Sequence, residues 1–81
     1  MEYTAYILFS EKLQQYYTGS SSDLTQRLAD HNSGLSKHTR NGRPWLLIYF
    51  KECADKTSAI KLENKIKKRS AKRYLQDLGV V

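Results

Sequence analysis

The sequence predicts an α/β (α+β) fold: a three-stranded antiparallel sheet flanked by helices, in the order β-β-α-β-α-α. Two short runs rich in aromatic and β-branched residues, YTAYILF and YYTGS, are separated by a brief polar break, which is the pattern of a hairpin. A third such run, WLLIYFKE, follows a stretch of loop composition. Between and after these runs, apolar residues recur at helical rather than strand spacing. With 81 residues the chain is expected to form one domain, 1–81. A chain this short buries roughly 60–65% of its unfolded surface, so a site and a separate recognition domain would not both fit.

The first strand, Tyr3–Phe9, is apolar at nearly every position, so both of its faces should be covered. SEKLQQ is a turn. If Phe9 pairs with Gln14, Tyr6 stands opposite Tyr17 on one face of the ladder; a one-residue slip would send the two rings to opposite faces. Ser21 or Ser22 is expected to cap the first helix, with Asp23 complementing its positive end. That helix runs to about His31 or Asn32, and Gly34 stops it. Leu24 and Leu28 form its apolar stripe, while Arg27 and His31, also four apart, are expected to share a different face.

SGLSKHTRNGRP reads as a loop. WLLIYFKE reads as the central strand by its apolar density. Asp55 should cap the next helix, on which Ala59, Leu62 and Ile66 form a core stripe. Ser70-Ala71 marks a break. AKRYLQDL then makes a short last helix, with Tyr74, Leu75 and Leu78 inward. No repeat, linker or low-complexity segment is present.

The chain carries 14 Lys and Arg against 8 Asp and Glu, a formal charge of +6. Such a surface suits a polyanion, because each contacted phosphate releases counterions; the same charge also serves solubility. Cys53 is the one cysteine, so no intrachain disulfide forms and a reducing compartment is expected. It reads as a packing residue rather than a nucleophile. There is no apolar run approaching the roughly 18 residues of a membrane span, and the N-terminal segment lacks a signal-peptide pattern. The expected location is cytoplasmic, with no membrane partner.

Several residues stand out for chemistry. Glu63 is the one carboxylate in KLENKIKKRSAKR, residues 61–73, among seven Lys and Arg. It reads either as a surface acid paired to Lys67 at i+4 or as a metal ligand at the edge of the buried stripe. Tyr6 and Tyr17 read as half-buried strand residues, or as a phenol pair made more acidic by a nearby cation. Arg27 reads as part of a solvated helix face, or as a bidentate phosphate clamp one turn into the helix. His31 has no second His or Cys nearby, which argues against zinc.

Taken in order, AYIL, YTG, RLADHN, NGRPWLLIYF and A..LE..IK resemble the GIY-YIG nuclease family. The likeness is to its small stand-alone members, which are related to the N-terminal domain of a bacterial excinuclease. It spans Tyr3 to about Arg73. The GIY motif falls on Thr4-Ala5-Tyr6, keeping the tyrosine. The YIG motif falls on Tyr17-Thr18-Gly19, with the middle residue changed. The resemblance implies catalytic roles for Tyr6, Tyr17, Arg27, His31 and Glu63, with Glu63 holding a single Mg²⁺ or Mn²⁺. It implies metal-dependent hydrolysis of DNA phosphodiesters, in repair or processing, with RNA as the alternative substrate.

Lys37, Arg40 and Arg43 in the loop, with Lys65, Lys68, Arg69, Lys72 and Arg73, would contact backbone phosphates. Such contacts position a duplex but read no sequence. Specificity would then come from nucleic-acid structure, a protein partner or a homodimer. The rival readings are a noncatalytic nucleic-acid-binding module on the same fold, and a basic interaction subunit using Trp45 and Tyr49.

Overall fold

The strand that holds the sheet together is the first, not the third. The computed structural model describes residues 2–80; residues 1 and 81, the ends of the expected domain, lie outside them. The elements are β1 (Tyr3–Ser10), β2 (Gln15–Ser21), α1 (Leu24–Ser33), a 3₁₀ turn (Arg40–Gly42), β3 (Trp45–Cys53), α2 (Lys56–Arg69) and α3 (Ala71–Asp77). The sheet order is β2-β1-β3, antiparallel throughout. Apolar density points to β3 as the central strand. Instead β3 is an edge strand with Leu46 and Phe50 about half exposed, while Ala5, Tyr6, Ile7 and Leu8 of β1 are at most 1% exposed. Apolar content measures what a strand can bury, not how many neighbours the topology gives it.

Alternation along β1 builds two cores. On one face Tyr6, Leu8 and Trp45 pack with Tyr17, Leu24, Leu28 and Leu47, beneath α1. On the other, Ile7, Ile66 and Leu75 pack with Tyr16, Ile48, Tyr49, Leu62 and Tyr74, beneath α2 and α3. The expected stripe on α2 is present, with Ala59 and Ile66 fully buried. Tyr74 and Leu75 face inward as expected. Leu78 does not: α3 ends at Asp77, and Leu78 is 49% exposed beyond it. Among the described residues no helix is long and apolar enough to cross a membrane.

The hairpin register differs from the expected one by two residues. Tyr6 pairs with Gly19, and Tyr17 pairs with Leu8. The turn consumes Glu11 to Gln14, with Gln14 at a left-handed φ of 54°, so the ladder begins at Ser10–Gln15. Ser10 Oγ accepts from the Leu13 N–H at 3.1 Å and closes the turn. Because the shift is even, Tyr6 and Tyr17 still share a face.

The cap of α1 is also corrected. Asp23, not Ser21 or Ser22, accepts from the Gln26 N–H at 3.0 Å; Ser21 Oγ instead accepts from the Asp23 N–H at 3.0 Å. Asp23 is the stronger acceptor for the helix's positive end. Gly34 closes the helix in the left-handed region, as its position suggests. His31 belongs to the inward stripe rather than to a different face. At about 100° per residue, positions 27, 31, 24 and 28 fan in that order across one wedge roughly 100° wide, and His31 is fully buried.

The end of α1 is clamped to the start of β3. Asn32 Oδ1 accepts from the Trp45 N–H at 2.6 Å, and Asn32 Nδ2 donates to the Trp45 carbonyl at 3.2 Å. One side-chain amide thus stands in for a strand partner. Replacing Asn32 with Ala leaves both backbone groups unpaired, an expected loss of about 1–3 kcal/mol in unfolding free energy. Urea titration should show a lower midpoint at an unchanged slope. A shift within about 0.5 kcal/mol, typical of a neutral surface change, would mean that the clamp holds nothing.

Candidate active site

Four of the predicted residues meet on the face covered by α1. Tyr6 rises from the central strand, Tyr17 from its neighbour, and Arg27 and His31 come down from the helix. The Tyr6 hydroxyl lies 3.2 Å from His31 Nε2, and His31 Nδ1 lies 2.7 Å from Thr39 Oγ1. The Tyr17 ring centre is 6.5 Å from that of Tyr6 and 4.9 Å from that of His31. Gly19, directly across the ladder from Tyr6, makes the arrangement possible. A Cβ at Gly19 would sit 2.7 Å from the Tyr6 hydroxyl oxygen and 2.9 Å from its Cζ, so any side chain there would push the phenol off the strand.

The electrostatics follow from burial. Burial pushes the Tyr6 phenol above its ordinary range; the Arg27 guanidinium beside it pulls the other way, and Tyr17 and Glu63 add to the rise. Arg27 is held more firmly protonated, chiefly by Tyr6, with Tyr17 and Asp30 acting in the same direction. Its Nη1 lies 3.8 Å from Asp30 Oδ2. His31 is pushed down by burial and then by Arg27, with Asp30 opposing. It is therefore neutral at neutral pH. A neutral imidazole carries one donor and one acceptor. Either Tyr6 donates to Nε2 while Nδ1–H donates to Thr39, or Thr39 donates to Nδ1 while Nε2–H donates to Tyr6. The two arrangements differ in the imidazole tautomer and in the direction of the two hydroxyl hydrogens.

Glu63 stands apart from these four. It projects from α2, which covers the opposite face, and meets the sheet at edge strand β2. Ser20 Oγ donates to Glu63 Oε1 at 2.7 Å, and Lys67 Nζ donates to Oε2 at 2.6 Å. The i,i+4 ion pair is thus formed. Yet the Glu63 side chain is 17% exposed, aimed at the strand next to Gly19 rather than into bulk solvent. Its charge is felt at Tyr6, but it makes no hydrogen bond to either phenol or to Arg27. Among the described residues no group of three or more His, Cys, Asp and Glu comes together. The donor set at Glu63 is hard oxygen, carboxylate with the Ser20 hydroxyl beside it, and a cation already rests on it. That fits one magnesium-like ion, which keeps most of its waters and takes one or two carboxylates.

A groove of about 430 Å³ runs along β2, with Tyr16, Tyr17 and Thr18 on one side and Lys67, Ser70 and Lys72 on the other. Tyr17 belongs to both regions, its ring packed on His31 across the sheet face while the residue is also part of the groove's lining. Lys37, Arg40, Arg43, Lys65, Lys68, Lys72 and Arg73 are all exposed. Of these, Lys72 lines the groove, while Lys65 and Lys68 fall on the side of α2 turned away from the sheet by helical geometry. Arg40 Nε donates to the Gly34 carbonyl and Arg43 Nε to the Arg40 carbonyl, which holds both guanidinium groups over the loop. Arg69 departs from the expectation of a free phosphate contact: it is paired in bidentate fashion with Asp77, at 2.9 and 3.1 Å. Three further residues shape the site. Lys67 is visible in the sequence as the i+4 partner of Glu63; Ser20 and Thr39, small hydroxyls in polar stretches, give no signal there.

Comparison with known proteins points one way. The family model described as GIY-YIG catalytic domain matches residues 2–75. A UPF0213 protein of Lactiplantibacillus plantarum is 39% identical over 81 residues, covering 96% of this chain and 79% of that protein. A UPF0213 protein of Desulfotalea psychrophila is 37% identical over 59 residues, covering 70% of this chain and 54% of its own length. For one of Listeria welshimeri the figures are 40% over 58 residues, 70% and 64%. The matched part of this chain thus spans less than two thirds of those two relatives. The solution NMR structure of a UPF0213 protein from Bacillus halodurans superposes with a TM-score of 0.60 at 28% identity, over 99% of this chain and 85% of that one.

Two outcomes are expected from this geometry. His31 has a folded pKa below its unfolded value of about 6.5, so the unfolded state takes up the proton first as pH falls. The stability present above about pH 6.5 is then lost towards the folded pKa. Melting temperature should fall between about pH 7.5 and 5, and His31→Gln should flatten that fall; an equally steep fall in the variant would assign it to other groups. Gly19→Ala should destabilise by about 1–3 kcal/mol through overpacking against Tyr6, read by thermal or urea unfolding, whereas unchanged stability would mean the phenol has room to move.

Proposed function

The chain belongs to the GIY-YIG catalytic domain family, and from that premise we propose that it is a metal-dependent endonuclease hydrolysing DNA phosphodiesters in repair or processing. The observation that supports this best is the position of Tyr17: half-buried, packed on His31, and lining the groove. Tyr6 is 1% exposed and its phenol is pushed up by burial, so it keeps its proton and serves to position. Tyr17, the less buried of the two, is the phenol that a water would reach.

In the reaction, water attacks phosphorus in line with the departing 3′-oxygen. A new P–O bond forms, the P–O3′ bond breaks, the departing 3′-oxygen takes a proton from solvent, and the products carry a 5′-phosphate and a 3′-hydroxyl. Tyr17 accepts the proton of the attacking water. Arg27 is the cation beside both phenols. Arg27 also binds the charge that builds on the nonbridging oxygens. His31, held between Tyr6 and Thr39, fixes the Tyr17 ring by packing against it. When bound, a Mg²⁺ or Mn²⁺ ion on Glu63 and Ser20 would neutralise charge at the leaving oxygen. Lys37, Arg40, Arg43 and Lys72 would hold flanking phosphates. They read no sequence, so selectivity would rest on nucleic-acid structure, a protein partner or a second copy of the chain. The lone cysteine suits a cytoplasmic setting.

The test is a cleavage panel of linear, nicked, branched and single-stranded DNA with Mg²⁺ or Mn²⁺. Wild type should cut at least one. Tyr17→Phe should lose about 100- to 10,000-fold in rate, the range of a general base. Glu63→Gln and Arg27→Ala should be inactive at an unchanged melting temperature. Salt-sensitive binding with no cleavage of any substrate would favour a noncatalytic nucleic-acid-binding module instead, and unchanged rates in the variants would reject the site.

A further inference from the structure

Lys67 belongs to two places at once. Its ammonium lies 2.6 Å from Glu63 Oε2, and its side chain also lines the groove along β2. The two partners are unequally held. Glu63 is 17% exposed with its other oxygen on Ser20, whereas Lys67 is 54% exposed on a flexible four-carbon stem. The carboxylate is fixed and the ammonium is the movable member. Each carboxylate oxygen has lone pairs to spare, but a divalent cation on Glu63 would stand within a few ångströms of the ammonium, and the two positive charges repel. A metal ion on Glu63 therefore weakens the hold on Lys67.

Once released, Lys67 remains beside the groove. There it joins Lys72 on the wall facing Tyr16 and Tyr17, and among the described residues no acidic side chain lines that groove. Two lysines across a groove from a β-strand that carries Tyr16 offer chemistry for a nucleic-acid strand, phosphates on one wall and a stacked base on the other. The edge of β2 away from β1 takes part in no ladder among the described residues, so the sheet leaves the strand's path open. A phosphate in the groove would in turn draw Lys67 off Glu63 and vacate the carboxylate for metal.

We propose that Lys67 exchanges between Glu63 and the groove, so that a divalent cation on Glu63 and a nucleic-acid strand in the groove each promote the other's binding. The proposal rests on Glu63 being the metal ligand of the proposed nuclease site. Linkage makes the effect reciprocal: the factor by which strand tightens metal equals the factor by which metal tightens strand.

The test measures Mn²⁺ affinity from the EPR signal of free Mn²⁺, with and without a single-stranded deoxyoligonucleotide, and oligonucleotide affinity by fluorescence anisotropy, with and without Mn²⁺. In wild type each ligand should tighten the other about 5-fold or more, the lower end of measured couplings. Lys67→Met should bind Mn²⁺ more tightly than wild type without oligonucleotide, and its coupling should collapse towards 1. Lys72→Met should weaken the oligonucleotide but keep the coupling, because Lys72 is not paired with Glu63. Lys67→Met with wild-type Mn²⁺ affinity and wild-type coupling would overturn the proposal while leaving the metal site intact. Glu63→Gln that binds Mn²⁺ as wild type does would instead put the ion elsewhere and reject the premise as well.

Discussion

The hydrogen bond between Tyr6 and His31 is the contact from which the site takes its geometry. Both side chains are essentially fully buried, and an unpaired polar group in such a place costs about 1–3 kcal/mol. Neither can therefore move without the other. Thr39 Oγ1 takes the far nitrogen of His31, the Thr39 carbonyl accepts from Trp45 Nε1 at 2.6 Å, and Asn32 holds the Trp45 backbone. One polar chain thus ties β1, α1, the loop and β3. Packing of Leu24 and Leu28 holds α1 against the sheet, but apolar contact is non-directional. The directional bonds set where along the sheet the helix sits, and hence where Arg27 falls. Among the described residues no buried polar side-chain atom lacks a partner.

That same burial divides the labour between the phenols. Enclosing Tyr6 raises its pKa and closes it to water, so the residue that positions the site is unfit to be its base. Tyr17, one strand further out, keeps an open side. The division depends on β2 being an edge strand. Successive strand residues point to opposite faces, so Gly19 faces the phenols and Ser20 faces Glu63. Residues on the two faces of a sheet ordinarily cannot act on one ligand. They can where the sheet ends, because a ligand can wrap the edge, and the groove lies along that edge. Had β2 been central, the phenols and the carboxylate would be separated by a covered layer.

Much of this is legible in the residues. Alternation and helical spacing give the element order, and the order of motifs gives Tyr6, Tyr17, Arg27, His31 and Glu63. These residues stand out because each carries a distinctive functional group. What the sequence leaves open is relational. Strand order depends on which pairings form in three dimensions, so apolar density misplaces β3 at the centre. The hairpin register depends on how many residues the turn consumes, which Gln14's left-handed backbone decides. His31 is expected on a different face because a polar side chain reads as a solvent-facing one, although its helical angle lies only about 20° from that of Leu24. Thr39 cannot be found at all: a threonine in a polar loop announces nothing until its partner is known. Arg69 counts as a free cation for lack of any sign that Asp77, eight residues on, returns to meet it.

Glu63 poses the remaining physical question, since both of its oxygens already hold donors. A carboxylate that already holds a cation takes a second one readily only where the first is loosely held. An i,i+4 ion pair with a half-exposed lysine contributes about 0.3–0.5 kcal/mol. Lys67 is therefore easily displaced, while Ser20 keeps the carboxylate aimed at the strand edge. Without Lys67, a largely buried carboxylate would bear an unpaired charge, which is costly in such a place. Ser20 fixes the carboxylate and Lys67 balances its charge, so one of the two partners is firm and the other is loose.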